Sequence, residues 1–237
     1  MHLSLHGMNA RRDDRRRIAS MPPQSNSTAH VAEWLTSHFI TSFERDVDPA
    51  LWPPIIENGI VHERGFFAIT LLTLSYCEAM ATLLTGATAH GTVEAVRFLE
   101  DEVSRHAGMA GPRYRTRGAA LFVLYRHRLA HQREPGRLDI DGSVIVWEVG
   151  RNEAEANHLK FRAAAAPKFV LTIDADRLNA HALLAFKDIR DRSRTDAQLA
   201  RTIYQGAVAA DTPTAPQGSP TGHVGTKLRA MLAAPDP

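Results

Sequence analysis

Residues 66–84, FFAITLLTLSYCEAMATLL, form a long apolar run that decides the fold. The run is long enough to cross a bilayer, which takes roughly 20 residues. Glu78 lies inside it, however, among several Thr and Ser residues, and a helix that is surrounded by other helices is also apolar on all sides. We therefore predict a helix at about 65–85 that ends at Gly86 and lies in the core of a helical bundle rather than in a membrane.

Shorter helical patterns surround this core helix. Apolar residues recur with helical spacing in three further segments before residue 135, at about 29–46, 92–106 and 116–132. Gly111 and Pro112 are expected to close the second of them, and Pro135 to end the third near Gln132 or Arg133. Helical spacing returns after Asp174, a predicted N-cap residue. These patterns predict a mainly α fold.

A small sheet is predicted between the arginine-containing third helix and the C-terminal helix. Residues 138–149 alternate around Asp141-Gly142, a turn sequence typical of a β-hairpin. The segments 158–162 and 168–173 are expected to add further strands. We predict a small antiparallel sheet inserted at about 137–173, so that the fold class is mainly α, or α+β.

Length and composition bound the domain organisation. The chain has 237 residues, 44% of them hydrophobic and 23% charged, which suits one globular domain. Segments 1–28 and 209–237 are rich in Arg, Pro, Ser and Thr and are predicted to be disordered, which leaves a single domain at 29–208. Cys77 is the lone cysteine, which excludes a disulfide framework. Residues 1–20 lack the pattern of a secretion signal, so we expect a cytoplasmic protein.

Arginine is concentrated in one part of the chain, although the formal net charge is only +2. Seven arginines fall within one short segment: Arg113, Arg115, Arg117, Arg126, Arg128, Arg133 and Arg137. Such a local density of cations suits contact with a phosphate backbone. The alternative interpretation is a solvated helix face.

Residues 124–132, Leu-Tyr-Arg-His-Arg-Leu-Ala-His-Gln, combine arginine with histidine at the end of the third helix. An Arg and a His that lie close together can cleave an RNA phosphodiester without metal, because the guanidinium braces the phosphate while the imidazole moves a proton. Arg126 and His131 differ by roughly 140° around an ideal helix. Their convergence therefore depends on some unwinding of the last turn.

A metal site is the competing interpretation. His127 and His131 are four residues apart, share one helix face and suit a zinc ion that has further ligands. No spacing selects His62, His90 or His106 as the third ligand, and the neighbouring arginines would repel a cation. His158 and His181 are expected to be surface or core histidines, and we expect no cofactor.

The segment Arg126-His127-Arg128-Leu129-Ala130-His131 resembles the signature of the HEPN superfamily (higher eukaryotes and prokaryotes nucleotide-binding domains). That signature is an Arg, a polar residue, three further residues and a His, at the end of the last helix of an antiparallel helical bundle. The resemblance covers about 29–135. The predicted sheet and C-terminal helix lie outside it.

The resemblance implies a metal-independent endoribonuclease of the kind found among toxins and defence effectors. His131 would act as general acid or base, Arg126 would offset charge on the phosphate, and His127 would orient one of the two. Glu78 would hold Arg126 in place. The candidates for binding the RNA backbone are Arg113, Arg115, Arg117, Arg128 and Arg133.

The implied partners are RNA, a second copy of the chain in a homodimer, and an antitoxin or defence partner. Two alternatives stay open. One is a non-catalytic, dimerising RNA-binding or scaffold module, and the other is a metal-binding protein that uses His127 and His131.

Overall fold

The computed structural model describes residues 22–58, 60–62, 64–86, 92–127, 137–140, 142–151, 154–165 and 168–211. The α-helices in this part of the chain are α1 (Thr28–Trp34), α2 (Thr41–Asp46), α3 (Phe66–Thr85), α4 (Thr92–Asp101), α5 (Gly111–Leu121), α6 (Ala175–Ser193) and α7 (Ala197–Asp211). Two π-helical segments, Leu35–Ile40 and Phe122–His127, continue α1 and α5. The fold is mostly helical with small sheets, as predicted for an α+β protein.

Helix α3 occupies the centre of the fold and packs against α4, α6 and α7. It lies between Gly65 and Gly86, which both have positive φ angles (75° and 70°) that favour glycine. Among the described helices α3 alone is long and apolar enough to cross a membrane, and half of its most apolar window is buried within the fold. The predicted helix at 65–85 is confirmed, and its burial is consistent with the core helix of a soluble protein.

Aromatic rings fill the core beside α3. Phe39, Phe43, Tyr76 and Phe186 meet edge to face, with ring centroids 5.0–5.5 Å apart. This arrangement is favourable because the positive edge of one ring contacts the negative face of the next. The rings join the N-terminal helices to α3 and α6.

Two predicted helix boundaries are wrong. Helix α4 ends at Asp101, and 3₁₀ turns at Val103–His106 and Gly108–Ala110 follow it. Gly111 and Pro112 begin α5 instead of closing the previous helix. Proline is tolerated in the first turn of a helix because the N–H that it lacks would have no partner there. The predicted end near Gln132 or Arg133 lies outside the described residues.

The larger sheet is mixed, so the antiparallel prediction is wrong for its central pair. Its strands are β3 (Leu138–Ile140), β4 (Ser143–Gly150), β5 (Lys160–Ala163) and β6 (Lys168–Asp174), in the order β3-β4-β6-β5. The predicted hairpin is confirmed as β3 and β4, but β4 and β6 run parallel. Strand β5 lies at the edge, so the chain crosses over before β6 returns beside β4. Alternation predicts strands but not their direction.

A short hairpin that sequence reasoning missed lies before α3. It pairs β1 (Ile55–Glu57) with β2 (Ile60–His62), two strands of only three residues that follow Pro53-Pro54. Arg151 ties this region to the sheet and to α6. Its Nε lies 3.0–3.1 Å from both carboxylate oxygens of Asp176, and Nη1 and Nη2 donate to backbone carbonyls 2.6–3.2 Å away, those of Trp52, Arg64 and Pro49.

The Asp174 cap is confirmed, since its side chain accepts a hydrogen bond from the Arg177 N–H at 2.8 Å. Helix α7 extends to Asp211, three residues past the predicted end of the domain at 208. The described chain begins at Pro22, and α1 begins at Thr28 with Ser27 as its N-cap.

Candidate functional site

A cleft of about 560 Å³ opens between α3, α7 and the two π-helical segments. This volume falls within the roughly 300–1,000 Å³ that is typical of small-molecule sites. The described residues that line it are Trp34, Phe39, Ser75, Glu78, Ala79, Thr82, Leu83, Arg126, Ala207, Ala210 and Asp211. The cleft therefore combines an apolar wall with a few charged and hydroxyl groups.

Arg126 enters the cleft beside Glu78. Its Nε and Nη2 lie 3.1 and 3.0 Å from the same carboxylate oxygen, Oε2 of Glu78. The two side chains are 27% and 34% exposed, so the pair faces solvent in the cleft. Within the described chain, Nη1 of Arg126 and Oε1 of Glu78 form no hydrogen bond. The expected contact between Glu78 and Arg126 is thus present.

The α3 wall of the cleft presents Ser75, Glu78, Ala79 and Thr82, which share one face because successive helical residues turn by about 100°. The Ser75 hydroxyl donates to the Leu71 carbonyl at 2.7 Å, and the Thr82 hydroxyl donates to the Glu78 carbonyl at 3.0 Å. Both hydroxyl protons are therefore used by the helix backbone. The oxygens can only accept hydrogen bonds from a ligand in the cleft.

Both π-helical segments contribute to this cleft. The first segment begins directly after Trp34 and contains Phe39. The second segment contains Arg126. π-Helical turns are rare in proteins, and many of those that occur lie at functional sites. The buried Tyr125 fixes the second segment, since its hydroxyl lies 3.1–3.2 Å from the carbonyls of Glu148 and Leu171 on the sheet.

The rest of the proposed motif follows Arg126 in the chain. Arg128, His131 and Arg133 lie outside the described residues, and the His127 side chain is not described either. The metal alternative falls on the same two histidines. In the described part of the chain, no group of three His, Cys, Asp or Glu side chains could hold a metal ion.

Two of the predicted RNA-binding arginines are engaged within the fold. Nη1 of Arg113 donates to the carbonyls of Ala156 and His158, both at 2.8 Å, and Nη1 of Arg117 donates to the Leu159 carbonyl. These contacts hold the segment before β5 against α5. Arg115 is exposed, with its Nε 3.4 Å from the Ser104 hydroxyl. Arg113, Arg115 and Arg117 are absent from the described lining of the Arg126 cleft.

Sequence reasoning missed a buried polar cluster on the other side of α5. The Tyr114 hydroxyl lies 2.9 Å from Nε2 of His158 and 3.2 Å from Nδ1 of His181, and Nδ1 of His158 accepts from the Asp174 N–H at 3.2 Å. A neutral His158 therefore carries its proton on Nε2 and donates to Tyr114, whose hydroxyl then donates to His181. The three side chains come from distant parts of the chain, so no local spacing signals them.

Burial keeps both of these histidines neutral. Desolvation, together with charge repulsion from His181, Arg177 and Arg113, lowers the pKa of His158 to about 3, although the hydrogen bond from the Asp174 N–H acts in the opposite direction. Desolvation also lowers the pKa of His181 to about 4, with Arg177 acting in the same direction and Glu155 against it. Both are core histidines, one of the two outcomes expected from the sequence, and they belong to the packing of the fold.

Searches against protein-family models, curated proteins and solved structures find no match for this chain. The HEPN resemblance therefore depends on the motif residues, and the geometry around Arg126 has to be weighed by its own chemistry.

Proposed function

We propose that this protein is a HEPN-type, metal-independent endoribonuclease whose reaction centre lies at the Arg126 cleft. The observation that carries the proposal is the placement of Arg126, which is held by Glu78 on the wall of a solvent-open cleft of about 560 Å³. His131 follows five residues later in the chain. A guanidinium that is oriented before substrate arrives can stabilise charge that develops on a phosphate.

In this proposal Arg126 neutralises the pentacoordinate phosphate through Nη1, and Glu78 fixes the guanidinium plane. His131 moves protons near neutral pH, and His127 orients His131 or the phosphate. The ribose 2′-oxygen forms a bond to phosphorus while the bond from phosphorus to the 5′-oxygen breaks. One proton leaves the 2′-hydroxyl and another is delivered to the 5′-oxygen. The products are a 2′,3′-cyclic phosphate and a 5′-hydroxyl, and no metal takes part.

A non-catalytic RNA-binding or scaffold module is the second candidate function. Two observations favour it. The charge of Arg126 is already matched by Glu78, and Asp211 adds a further carboxylate to the cleft. Arg113 and Arg117 bind carbonyls of the fold. In this alternative the Arg126–Glu78 pair serves only to join α3 to the end of α5.

Three wider roles rest on the family resemblance alone: a homodimer with paired motifs, an antitoxin or defence partner, and a toxin or defence function. A cytoplasmic location also belongs to the proposal. Arg128 and Arg133 remain candidates for the RNA backbone, as does the exposed Arg115.

Cleavage of mixed RNA in EDTA tests this function. Wild type is expected to produce fragments with 2′,3′-cyclic ends, and His131→Ala is expected to produce none while it melts at the same temperature. Cleavage by His131→Ala at the wild-type rate would refute the assignment of His131. Activity that disappears in EDTA and returns with zinc would instead favour the metal alternative.

A further inference from the structure

Among the described residues that line the Arg126 cleft, more side chains can accept hydrogen bonds than can donate them. The Ser75 and Thr82 hydroxyls have committed their protons to the backbone of α3. Oε1 of Glu78 accepts no hydrogen bond from a described residue, and the carboxylate of Asp211 also lines the cleft. Among the described lining residues, Arg126 is the only one with a positively charged side chain.

The part of the lining outside α3 is mostly apolar. Trp34 of α1 and Ala207 of α7 belong to it, whereas Phe39 is buried and its ring packs edge to face with Tyr76 and Phe186. An aromatic surface suits the π face of a nucleobase, and such stacking tolerates any base. Stacking on this wall can therefore bind a base without selecting among bases. Selectivity has to come from the hydrogen-bond acceptors on α3.

We infer that the cleft takes one unpaired nucleotide whose base carries an exocyclic amino group, with its phosphate at Arg126. An amino group offers two N–H donors, which can bridge two acceptors about one helical turn apart on α3, such as Oε1 of Glu78 and the hydroxyl oxygen of Thr82. Uracil presents a carbonyl oxygen at the same position, and its single N–H lies between two carbonyl oxygens. Acceptors that face these oxygens would lose their water without gaining a bond, which is costly.

The base has to be unpaired, because the exocyclic amino group takes part in base pairing within a duplex. Single-stranded RNA is also the form in which bases can be splayed out and stacked on side chains. This inference deepens the proposed function by naming the nucleotide that the same cleft selects, and to that extent it rests on it.

Cytidine and uridine 5′-monophosphate form a matched pair of probes, because they differ only at the ring position that carries the amino group or the oxygen and at the adjacent nitrogen. Calorimetric titration of the full chain in EDTA is expected to show about tenfold tighter binding of the cytidine nucleotide, the effect of one additional hydrogen bond to an acceptor-rich site. Equal affinities, a preference for uridine, or no binding of either nucleotide at millimolar concentration would overturn the inference.

Variants of the α3 wall locate the selectivity. Thr82→Val and Ser75→Ala each remove one acceptor while they leave the helix intact. The two hydroxyls are about 10.5 Å apart along α3, so one amino group contacts only one of them, and at least one of the two variants is expected to bring the two affinities closer together. Thr85→Val is the matched control, because Thr85 lies on α3 but does not line the cleft. An unchanged affinity ratio in the double variant Ser75→Ala/Thr82→Val would contradict the assignment to these hydroxyls.

The aromatic wall has its own test. Trp34→Leu is expected to weaken both nucleotides by about tenfold, and Trp34→Phe is expected to restore most of that loss, since a ring can still stack on the base. Equal nucleotide affinity in wild type and Trp34→Leu would contradict the stacking of the base on Trp34.

The nucleotide-site inference and the endoribonuclease proposal can be refuted independently. Selective binding that depends on Trp34 and Thr82, without cleavage of any RNA, would keep the nucleotide site and refute the endoribonuclease. Cleavage that requires His131, together with equal binding of the two nucleotides, would keep the endoribonuclease and refute this inference.

Discussion

Two arginine–carboxylate pairs in this molecule use the same chemistry for different ends. Arg151 and Asp176 are 8% and 21% exposed, and three of the four remaining Arg151 donors bind backbone carbonyls of the 49–64 segment. Arg126 and Glu78 are 27% and 34% exposed, and within the described residues Nη1 of Arg126 has no partner. The difference is the number of donors that the fold uses. An arginine with most of its donors bound stabilises structure, whereas one with fewer bound donors on a cleft can also bind a ligand.

Removal of the buried arginine should have the largest effect on stability. Arg151→Ala leaves Asp176 and the carbonyls of Trp52 and Arg64 without the guanidinium that they contact, so we expect a loss of about 3–5 kcal/mol in the free energy of unfolding. Urea denaturation measures it. Arg162→Ala is the matched control, because its pair with Glu148 is about half exposed and is worth less than about 1 kcal/mol. Similar losses in both variants would contradict the claim that the buried Arg151 pair contributes more to stability than an exposed pair.

The buried histidines, His158 and His181, should make the free energy of unfolding depend on pH. Their pKa values are lowered to about 3 and 4, below the ordinary 6.5, so the folded state disfavours their protonation. The stability that they contribute is fully present above pH 6.5 and is lost as the pH falls toward 4. Between pH 7.5 and pH 5.5 we expect a decrease of about 2–3 kcal/mol, measured by urea denaturation.

His181→Gln should reduce that pH dependence by roughly half, because one of the two titrating groups is gone. His30→Gln is the control variant, because it makes the same substitution at an exposed histidine on α1. A wild-type slope in His181→Gln would contradict the assignment. His158 and His181 do not line the Arg126 cleft, so the change caused by His181→Gln reports on the packing around Tyr114.

Removal of the cleft arginine should have the smallest effect on stability. Arg126→Ala breaks a pair that is about one third exposed, so we expect a loss below about 1 kcal/mol in the free energy of unfolding. A loss as large as that of Arg151→Ala would assign Arg126 to the structure and favour the scaffold alternative.

Local patterns in the sequence predict much of this fold. The helix at 65–85, the Asp141-Gly142 hairpin and the Asp174 cap depend on nearby residues, and periodicity or capping chemistry reveals them. The parallel pairing of β4 with β6 depends on where the chain returns, which alternation does not encode. The π-helical segments and the Tyr114 cluster arise from tertiary contacts, so they have no signal at the spacing of a single element.

The candidate site divides in the same way. Arg126 and Glu78 are 48 residues apart, and their contact was expected only from the family resemblance, which places an acidic residue on an earlier helix. The hydroxyl geometry of Ser75 and Thr82 and the aromatic wall at Trp34 could not be predicted, because they depend on how α1, α3 and α7 face one another.

The most direct test of the central claim compares RNA cleavage in EDTA by wild type, Arg126→Ala and Arg97→Ala. Arg97 is an exposed arginine on α4 that does not line the cleft, so it controls for the loss of one positive charge. We predict that Arg126→Ala cleaves roughly 10²–10³-fold more slowly with little change in melting temperature, while Arg97→Ala keeps the wild-type rate. Wild-type cleavage by Arg126→Ala, or an equal loss in both variants, would contradict the assignment of this cleft.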